Sequence, residues 1–357
     1  MTKILHLLVL ILVSSLLAAC ATWETNKGQS QTASEKPPVA SSSEVSTVDS
    51  TPASPEPDTV AEPPQQQQQP QQPKELDNTR PYKPFIVASS TPGTLKQATT
   101  ETISALENAG FQIVGQYSPV DDTNIIVATN DTLKAIAARS PRGGYGAGQR
   151  ISVTETNGTV EVGYVNPVYI QYAYHLNGDM QPVFTQLSDA LGMLNACGAE
   201  KKKMTAKKLD GYHYMVGMQY FNDVSELGSF DSHDAAVAAV EKGLAIPGDA
   251  LTQVYRIDVP GTQQTVFGVG MKATSEDDKA LDSAFQMGVV DFEGCKKRAY
   301  FPYEVLVAGN NVEALHMRFR MAVHFPDLIM MGKHGFTKLI SSPGATESAL
   351  EDMLNSP

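Results

Sequence analysis

The sequence is poor in the residues and motifs that usually carry catalysis, metal binding or cofactor binding. Its 357 residues include three cysteines and one tryptophan. It has no nucleophile elbow, no pair of histidines at helical spacing and no Cys-x-x-Cys. The adjacent acidic pairs Asp121-Asp122, Asp277-Asp278 and Glu351-Asp352 point in different directions and are typical of turns and helix ends. We therefore predict no catalytic residue, no metal site and no cofactor, and an enzymatic role is disfavoured but stays open.

Long apolar runs are also lacking beyond residue 19. No later segment approaches the roughly 20 consecutive apolar residues that a membrane-spanning helix needs. The charge is unbalanced, with 27 Lys+Arg against 39 Asp+Glu and a formal net charge of -12 at pH 7. This balance disfavours nucleic acid and anionic membrane surfaces as partners. We expect a soluble body that meets a membrane only through an anchor.

The first twenty residues predict that anchor. One early charge, Lys3, precedes an apolar core and the small residues that a signal peptidase requires. Leu17-Ala18-Ala19-Cys20 resembles the lipobox of bacterial lipoproteins, which implies that residues 1–19 are a signal peptide and that Cys20 becomes an acylated, palmitate-bearing N-terminus. Ala21 stands where an aspartate would favour the inner membrane, which implies the outer membrane, facing the periplasm. The alternative is a secretory signal followed by a coincidental cysteine.

Residues 20–80 predict a lipidated N-terminus followed by a disordered linker. The stretch is rich in Pro, Gln, Ser and Thr, includes five successive glutamines from Gln65 to Gln69, and has almost no large apolar residue. Such a composition cannot bury enough apolar surface to fold. We hypothesise that the linker lets the folded body work away from the membrane.

Beyond residue 81 the same order of elements is predicted twice. The clearest local signal is Asn157-Gly158, a two-residue turn between strands 150–156 and 159–165. The second half is predicted to contain strands 212–221, 251–259, 265–272, 300–307 and 312–323, with helices 232–245, 277–287 and 346–354. We predict an α+β fold of two tandem β-α-β-β-α-β-β-α units, 81–198 and 199–357, with mostly antiparallel sheets and helices on one face. The alternative is one α+β domain without duplication.

The first half also carries a family resemblance. Ala109-Gly110-Phe111-Gln112-Ile113-Val114 follows the first helix, Asn130 and Leu133 lie in the short helix, and Arg150-Ile151-Ser152-Val153 precedes Asn157-Gly158-Thr159-Val160. This order, over about residues 84–176, resembles the bacterial family catalogued as domain of unknown function 302. That family tends to have a proline where this chain has glycines at 143–148, although the second half has Pro302 in the equivalent place. The resemblance implies a compact antiparallel sheet with helices packed on one face, and it implies no agreed activity.

The predicted strand 312–323 carries the candidate binding surface. Alternation places His316, Arg318 and Arg320 on one face. A polar face of an antiparallel sheet usually meets solvent. The functional alternative is a ligand or partner surface, because guanidinium groups suit carboxylates and phosphates. Glu304 on the neighbouring strand is predicted either to pair with an arginine or to point into the core, since register is not fixed by the turn.

The two cysteines beyond Cys20 are candidates for a disulfide. Cys197 and Cys295 lie beside basic runs in the two halves, and the periplasm is an oxidising compartment. The sequence does not give the Cα separation that a bond demands, so two buried thiols remain the alternative.

Two further patterns resemble binding sites, but a structural role is predicted for each. The glycines at 143–148 precede a strand, whereas a nucleotide-binding loop opens a helix, so a flexible turn or bulge is predicted. His213, Met215 and Met218 are ligands that Cu(I) prefers, but alternation separates Met218 from the other two and methionine is common in cores.

We therefore predict an outer-membrane lipoprotein with a periplasmic domain that binds an unknown protein or small ligand. The first alternative is an enzyme or redox accessory with a site between the two repeats, built from residues far apart in sequence. The second alternative is a structural envelope tether.

Overall fold

The computed structural model describes residues 76–292 and 294–355. These residues form a six-stranded antiparallel sheet, a five-stranded antiparallel sheet and a two-stranded ribbon, with helices between the strands. The predicted α+β fold class is confirmed. The predicted signal peptide, Cys20 and nearly all of the predicted linker lie outside the described residues. None of the described helices combines the length and the apolarity that crossing a bilayer requires.

The first repeat contains seven strands and four helices. They are β1 (Pro81–Tyr82), β2 (Phe85–Pro92), α1 (Leu95–Asn108), β3 (Gln112–Tyr117), β4 (Thr123–Thr129), α2 (Asp131–Ala138), β5 (Gln149–Thr156), β6 (Thr159–Val165), α3 (Pro167–Ala173), α4 (Gln181–Leu191) and β7 (Asn195–Cys197).

The second repeat has a matching series after a short connection. Its elements are β8 (Met204–Thr205), α5 (Ala206–Asp210), β9 (Val224–Ser229), α6 (His233–Leu244), β10 (Leu251–Val259), β11 (Gln264–Met271), α7 (Ser283–Val290), β12 (Tyr303–Ala308), β13 (Asn311–Leu315), α8 (Met317–His324) and α9 (Ser342–Leu354).

Both large sheets have the same strand order. The first is β3-β4-β5-β6-β2, with β7 added beside β2, and the second is β10-β11-β12-β13-β9. In each large sheet the strand that comes first in the chain, β2 or β9, pairs with the last strand of a meander made by the next four, which confirms the tandem order. One continuous apolar core includes buried residues of both repeats.

Local signals set the ends of these elements. Thr94, Asn130 and Ser232 cap helices by accepting the backbone N–H three residues further on. Asn157 and Gly158 both adopt positive φ, 52° and 75°, as a two-residue hairpin turn requires. The helices cover the sheets, with α1 on β3 to β6 and α6 on β10, β12 and β13.

The repeats contact each other through equivalent short turns. The 3₁₀ turn Gly143–Gly146, before β5, packs on β11 and β12, and the 3₁₀ turn Arg298–Tyr300, before β12, packs on β4 to β6. Reciprocal contacts of this kind are the pattern of an isologous interface. A Cβ on Gly144 would overlap the Leu306 side chain of the second sheet. Gly144 thus allows the two repeats to approach closely, while Gly143 and Gly146 make room for residues of their own repeat.

The predicted strand 212–221 was wrong. Tyr212 and Phe221 are buried, but the residues between them form an irregular loop, and the first strand of the second sheet is β9. The Tyr212 hydroxyl donates to the Ala322 carbonyl at 2.9 Å. The aromatic and methionine residues of this stretch are typical of a strand, which explains the wrong prediction. In the structure these residues form a loop that contacts α8.

The predicted strand 312–323 was also wrong beyond Leu315. His316 caps α8 by accepting the Arg318 backbone N–H, and the chain continues as a helix. The residues Met317, Arg320, Met321 and His324 are all buried and follow helical spacing. Because two of these four buried residues are polar, the sequence does not show the apolar spacing of a helix. The apolar residues Leu315, Met317, Phe319 and Met321 instead alternate as they would in a strand.

The folded body begins slightly before the predicted boundary at residue 81. The Asp77 carbonyl accepts the Lys207 backbone N–H at 3.3 Å, and the Asn78 side chain accepts the Thr205 hydroxyl at 2.9 Å. These contacts pack the residues before β1 against β8 and α5.

Candidate functional site

Three charged side chains meet in the interior where the two repeats join. Arg150 projects from β5 of the first sheet and Glu304 from β12 of the second, and Arg150 Nη1 lies 2.6 Å from Glu304 Oε1. Arg320 on α8 places Nη2 3.3 Å from Glu304 Oε2. The three side chains are at most 3% exposed. A charge buried this deeply is stable only when it is paired and hydrogen-bonded.

Other donors and acceptors complete this buried centre. The Tyr255 hydroxyl on β10 donates to Glu304 Oε1 at 2.7 Å, and Arg150 Nε donates to the Ala299 carbonyl at 3.0 Å. Glu304 therefore accepts from groups in both repeats. The contacts connect β5, β10, β12 and α8 through a single carboxylate.

Arg320 is held between two aromatic rings. Its guanidinium carbon lies 4.2 Å from the ring centre of Tyr300 and 4.9 Å from that of Tyr303. Nη2 also donates to the Tyr300 and Pro302 carbonyls, each at 2.7 Å. Among the described residues, Arg320 Nε and Nη1 have no hydrogen-bond partner. The centre therefore retains unused donors in a region without solvent contact.

His324 lies beside Arg320 and is also fully buried. Its Nδ1 is 2.8 Å from the Arg320 carbonyl, and because a carbonyl only accepts, Nδ1 carries the hydrogen. Burial, together with the charges of Arg320 and Arg150, lowers the pKa of His324 well below the ordinary value of 6.5. The ring is therefore neutral, and Nε2 is a hydrogen-bond acceptor.

Three of the buried polar atoms without a partner belong to aromatic rings that pack together. Within the described part of the chain, His324 Nε2 and the hydroxyls of Tyr174 and Tyr300 lack hydrogen-bond partners. The His324 ring centre lies 6.2 Å from that of Tyr174 and 5.2 Å from that of Tyr300. Burial raises the pKa of both tyrosines, so their hydroxyls remain protonated. Buried polar atoms that lack protein partners are the places where water or a ligand is expected.

A surface cleft lies beside His324. It has a volume of about 300 Å³ and is lined by residues of three segments, 197–201, 290–297 and 324–329. The Cys197–Cys295 disulfide forms part of its wall, and His324 also lines it. Charged residues of both signs, among them Lys201 and Asp327, complete the lining. The cleft therefore lies against the neutral, buried ring of His324.

The structure divides the four predicted surface residues. Arg320 and Glu304 come together, but in the interior, so they do not form an exposed face with the others. His316 is the half-buried cap of α8, and burial lowers its pKa. Arg318 is exposed and lines a small apolar pocket beside Tyr214. The sequence left open whether Glu304 pairs with an arginine or points into the core. In the structure it does both.

Cys197 and Cys295 form a disulfide in the structure, with their Cα atoms 6.4 Å apart. The bond joins β7, at the edge of the first sheet, to the segment before the turn Arg298–Tyr300. It therefore fixes the end of the first repeat to the second repeat beside the cleft.

Met218 and Met330 line the same small apolar pocket, whose volume is about 40 Å³. His213 instead stacks on Tyr220, and its Nδ1 lies 2.9 Å from the Met215 carbonyl. Over residues 76–292 and 294–355, no group of three or more His, Cys, Asp or Glu residues is arranged to hold a metal ion.

Sequence reasoning missed Arg150, Tyr255 and His324 as members of one site. Arg150 carried one usable signal, since it is charged within a strand whose flanking residues read as buried. The other two had none, because Tyr255 meets Glu304 across the second sheet, and His324 lies beside Arg320 only because residues 317–324 form a helix.

The chain matches no family model, no curated protein and no solved structure. The resemblance of its first half to the domain of unknown function 302 therefore stays a prediction.

Proposed function

We propose that the protein is an outer-membrane lipoprotein whose duplicated body binds a small polar ligand in the cleft beside the Cys197–Cys295 disulfide. The observation that carries the proposal is the cleft of about 300 Å³ that His324 helps to line, because Nε2 of this ring has no hydrogen-bond partner among the described residues. A neutral imidazole nitrogen accepts a hydrogen bond, so the ligand supplies a hydroxyl or an N–H at that point.

The location half of the proposal rests on Leu17-Ala18-Ala19-Cys20 and on the disulfide. A disulfide that joins two parts of one body is typical of proteins that fold in an oxidising compartment. Acylation at Cys20 would then hold the body at the membrane, since two or three acyl chains give essentially permanent anchoring. Labelling of cells with palmitate is expected to mark the wild-type chain and not Cys20→Ser. Recovery of the wild-type chain, unlabelled, in the soluble periplasmic fraction would contradict this half.

The binding half is tested by native mass spectrometry of the protein extracted from the envelope. We expect a bound small molecule that leaves on denaturation. In His324→Phe its affinity is expected to fall about fivefold, and its occupancy with it, because one net hydrogen bond contributes about 1 kcal/mol. Thermal unfolding of the same sample shows whether the variant is folded.

Lys201 and Lys203 provide a matched pair for the cleft. Both are exposed lysines of the same run, but only Lys201 lines the cleft. Lys201→Glu is expected to change the occupancy of the bound molecule, while Lys203→Glu leaves it unchanged. Equal occupancy in wild type, His324→Phe and Lys201→Glu, or no bound molecule in the wild-type protein, would contradict binding in this cleft.

A further inference from the structure

Two loops of the second repeat expose large apolar side chains on one face. Of the ten large apolar residues that are exposed in the described part of the chain, seven lie in residues 215–220 and 329–340. Val216 is 94% exposed, Met331 74% and Ile340 66%. Isolated exposed apolar residues are ordinary, whereas a concentration of them marks an interaction surface.

The two loops lie side by side. Tyr214 and Met218 of the first loop line one apolar pocket together with Met330 and Phe336 of the second. The two loops therefore adjoin each other, and we call residues 213–220 and 328–340 together the apolar face.

Lysines border the apolar face. Residues 201–222 contain five lysines and a single acidic residue, Asp210. Lys202 Nζ lies 5.0 Å from the ring centre of Tyr214, which places the lysine run directly beside the first loop. Lys333 and Lys338 add two exposed cations within the second loop. Asp223 and Asp327 accept backbone N–H groups of Tyr220 and Lys201 at the border of the face, but the lysines outnumber these carboxylates, so the surface is cationic although the whole chain has a formal net charge of -12.

We infer that the apolar face docks onto a membrane surface that contains anionic phospholipid. Exposed Val, Ile and Met side chains enter the boundary between headgroups and acyl chains, and bordering lysines are attracted to anionic headgroups. The negative charge of the whole chain argues against such a surface, but this attraction acts only within about a Debye length, so the local lysines decide it.

This inference goes beyond the proposed function, and it holds whether or not Cys20 is acylated, because the face lies wholly within the body. Acylation would anchor the protein to a bilayer, while the apolar face would determine the orientation of the body on the bilayer surface. Two membrane signals together give the stable attachment that a single weak one does not.

Vesicle binding of the unacylated chain from residue 21 to residue 357, which retains every residue that the structure describes, tests the inference. We expect this chain to sediment with vesicles of equal parts phosphatidylcholine and phosphatidylglycerol. Binding to phosphatidylcholine alone is expected to be about tenfold weaker or less, and binding to the mixed vesicles is expected to fall as salt is added.

Two pairs of variants separate the apolar and the charge contributions. Val216→Ser is expected to weaken binding to the mixed vesicles about tenfold, since it removes an inserted apolar side chain. Its control is Leu194→Ser, which changes an exposed residue away from the face. Lys203→Glu is expected to weaken binding about tenfold, and its control is Lys96→Glu on α1. Both controls are expected to bind as the wild type does.

The inference is overturned if the wild-type chain does not sediment with the mixed vesicles, or if Val216→Ser and Lys203→Glu bind them as well as their controls do. Capture of a protein partner by this face, with no binding to vesicles, would likewise overturn it. All four variants change exposed side chains, and a circular dichroism spectrum like that of the wild type confirms that each is folded.

Discussion

Replacing Glu304 with glutamine tests whether the buried charge centre holds the repeats together. The change keeps the shape of the side chain and an oxygen for the Tyr255 hydroxyl, but it leaves Arg150 and Arg320 as buried cations without a counterion. Removing one partner of a buried ion pair costs about 3–5 kcal/mol. Since a body of this size loses about 2 °C in melting temperature per kcal/mol, Glu304→Gln is expected to melt about 6–10 °C lower.

The assay is thermal unfolding followed by circular dichroism at neutral pH, with Glu241→Gln as the control. Glu241 also pairs with an arginine, Arg256, but it is 44% exposed, and such surface pairs contribute about 1 kcal/mol or less. The control is therefore expected to melt within about 2 °C of the wild type. If Glu304→Gln melts as the control does, the buried centre does not stabilise the junction and the reasoning fails.

Three further predictions concern the same junction. Replacing Cys197 and Cys295 with serine is expected to lower the free energy of unfolding by about 4 kcal/mol, because the bond closes a long loop; urea titration with and without a reductant measures this. Gly144→Ala is expected to cost about 1–3 kcal/mol by overlap with the second sheet, whereas Gly288→Ala, which meets nothing within 4 Å, is neutral or slightly stabilising. As the pH falls below about 6.5, the unfolded chain binds a proton at His324 that the folded chain does not, so the free energy of unfolding falls by up to about 1.4 kcal/mol per pH unit. Urea titrations between pH 7 and pH 5 are expected to show a shallower loss in His324→Phe.

The tandem fold was predictable because its signals are local. The hairpin turn at Asn157-Gly158, the polar caps and the alternation of strands are short-range patterns, and they occur in the same order twice. Prediction failed at α8, where a buried arginine and a buried histidine stand at positions that a helix normally fills with apolar residues. Only the partners of Arg320 explain these positions, and those partners are distant in sequence.

The sequence identified some residues of the candidate site, but it did not predict that they come together in the interior. Glu304 and Arg320 were singled out for their charge, but their shared location in the interior depends on α8 being a helix. Arg150 reaches Glu304 only through the contact between two sheets, and the sequence contains no register signal for such a contact. The cleft beside His324 has the same origin, since its three segments are joined by the disulfide and by packing.

The positions of Arg150 and Glu304 in the two repeats explain why their ion pair requires a duplicated chain. Arg150 on β5 pairs in register with Val127, the fifth residue of β4, and Glu304 on β12 pairs in register with Gly268, the fifth residue of β11. The two charged residues thus occupy equivalent positions and meet each other across the junction. In a symmetric dimer of one repeat, an isologous interface would place each such residue against its own copy, and two buried arginines or two buried glutamates would repel. Covalent duplication lets the equivalent positions carry opposite charges, so the pair that joins the repeats exists only in the tandem chain.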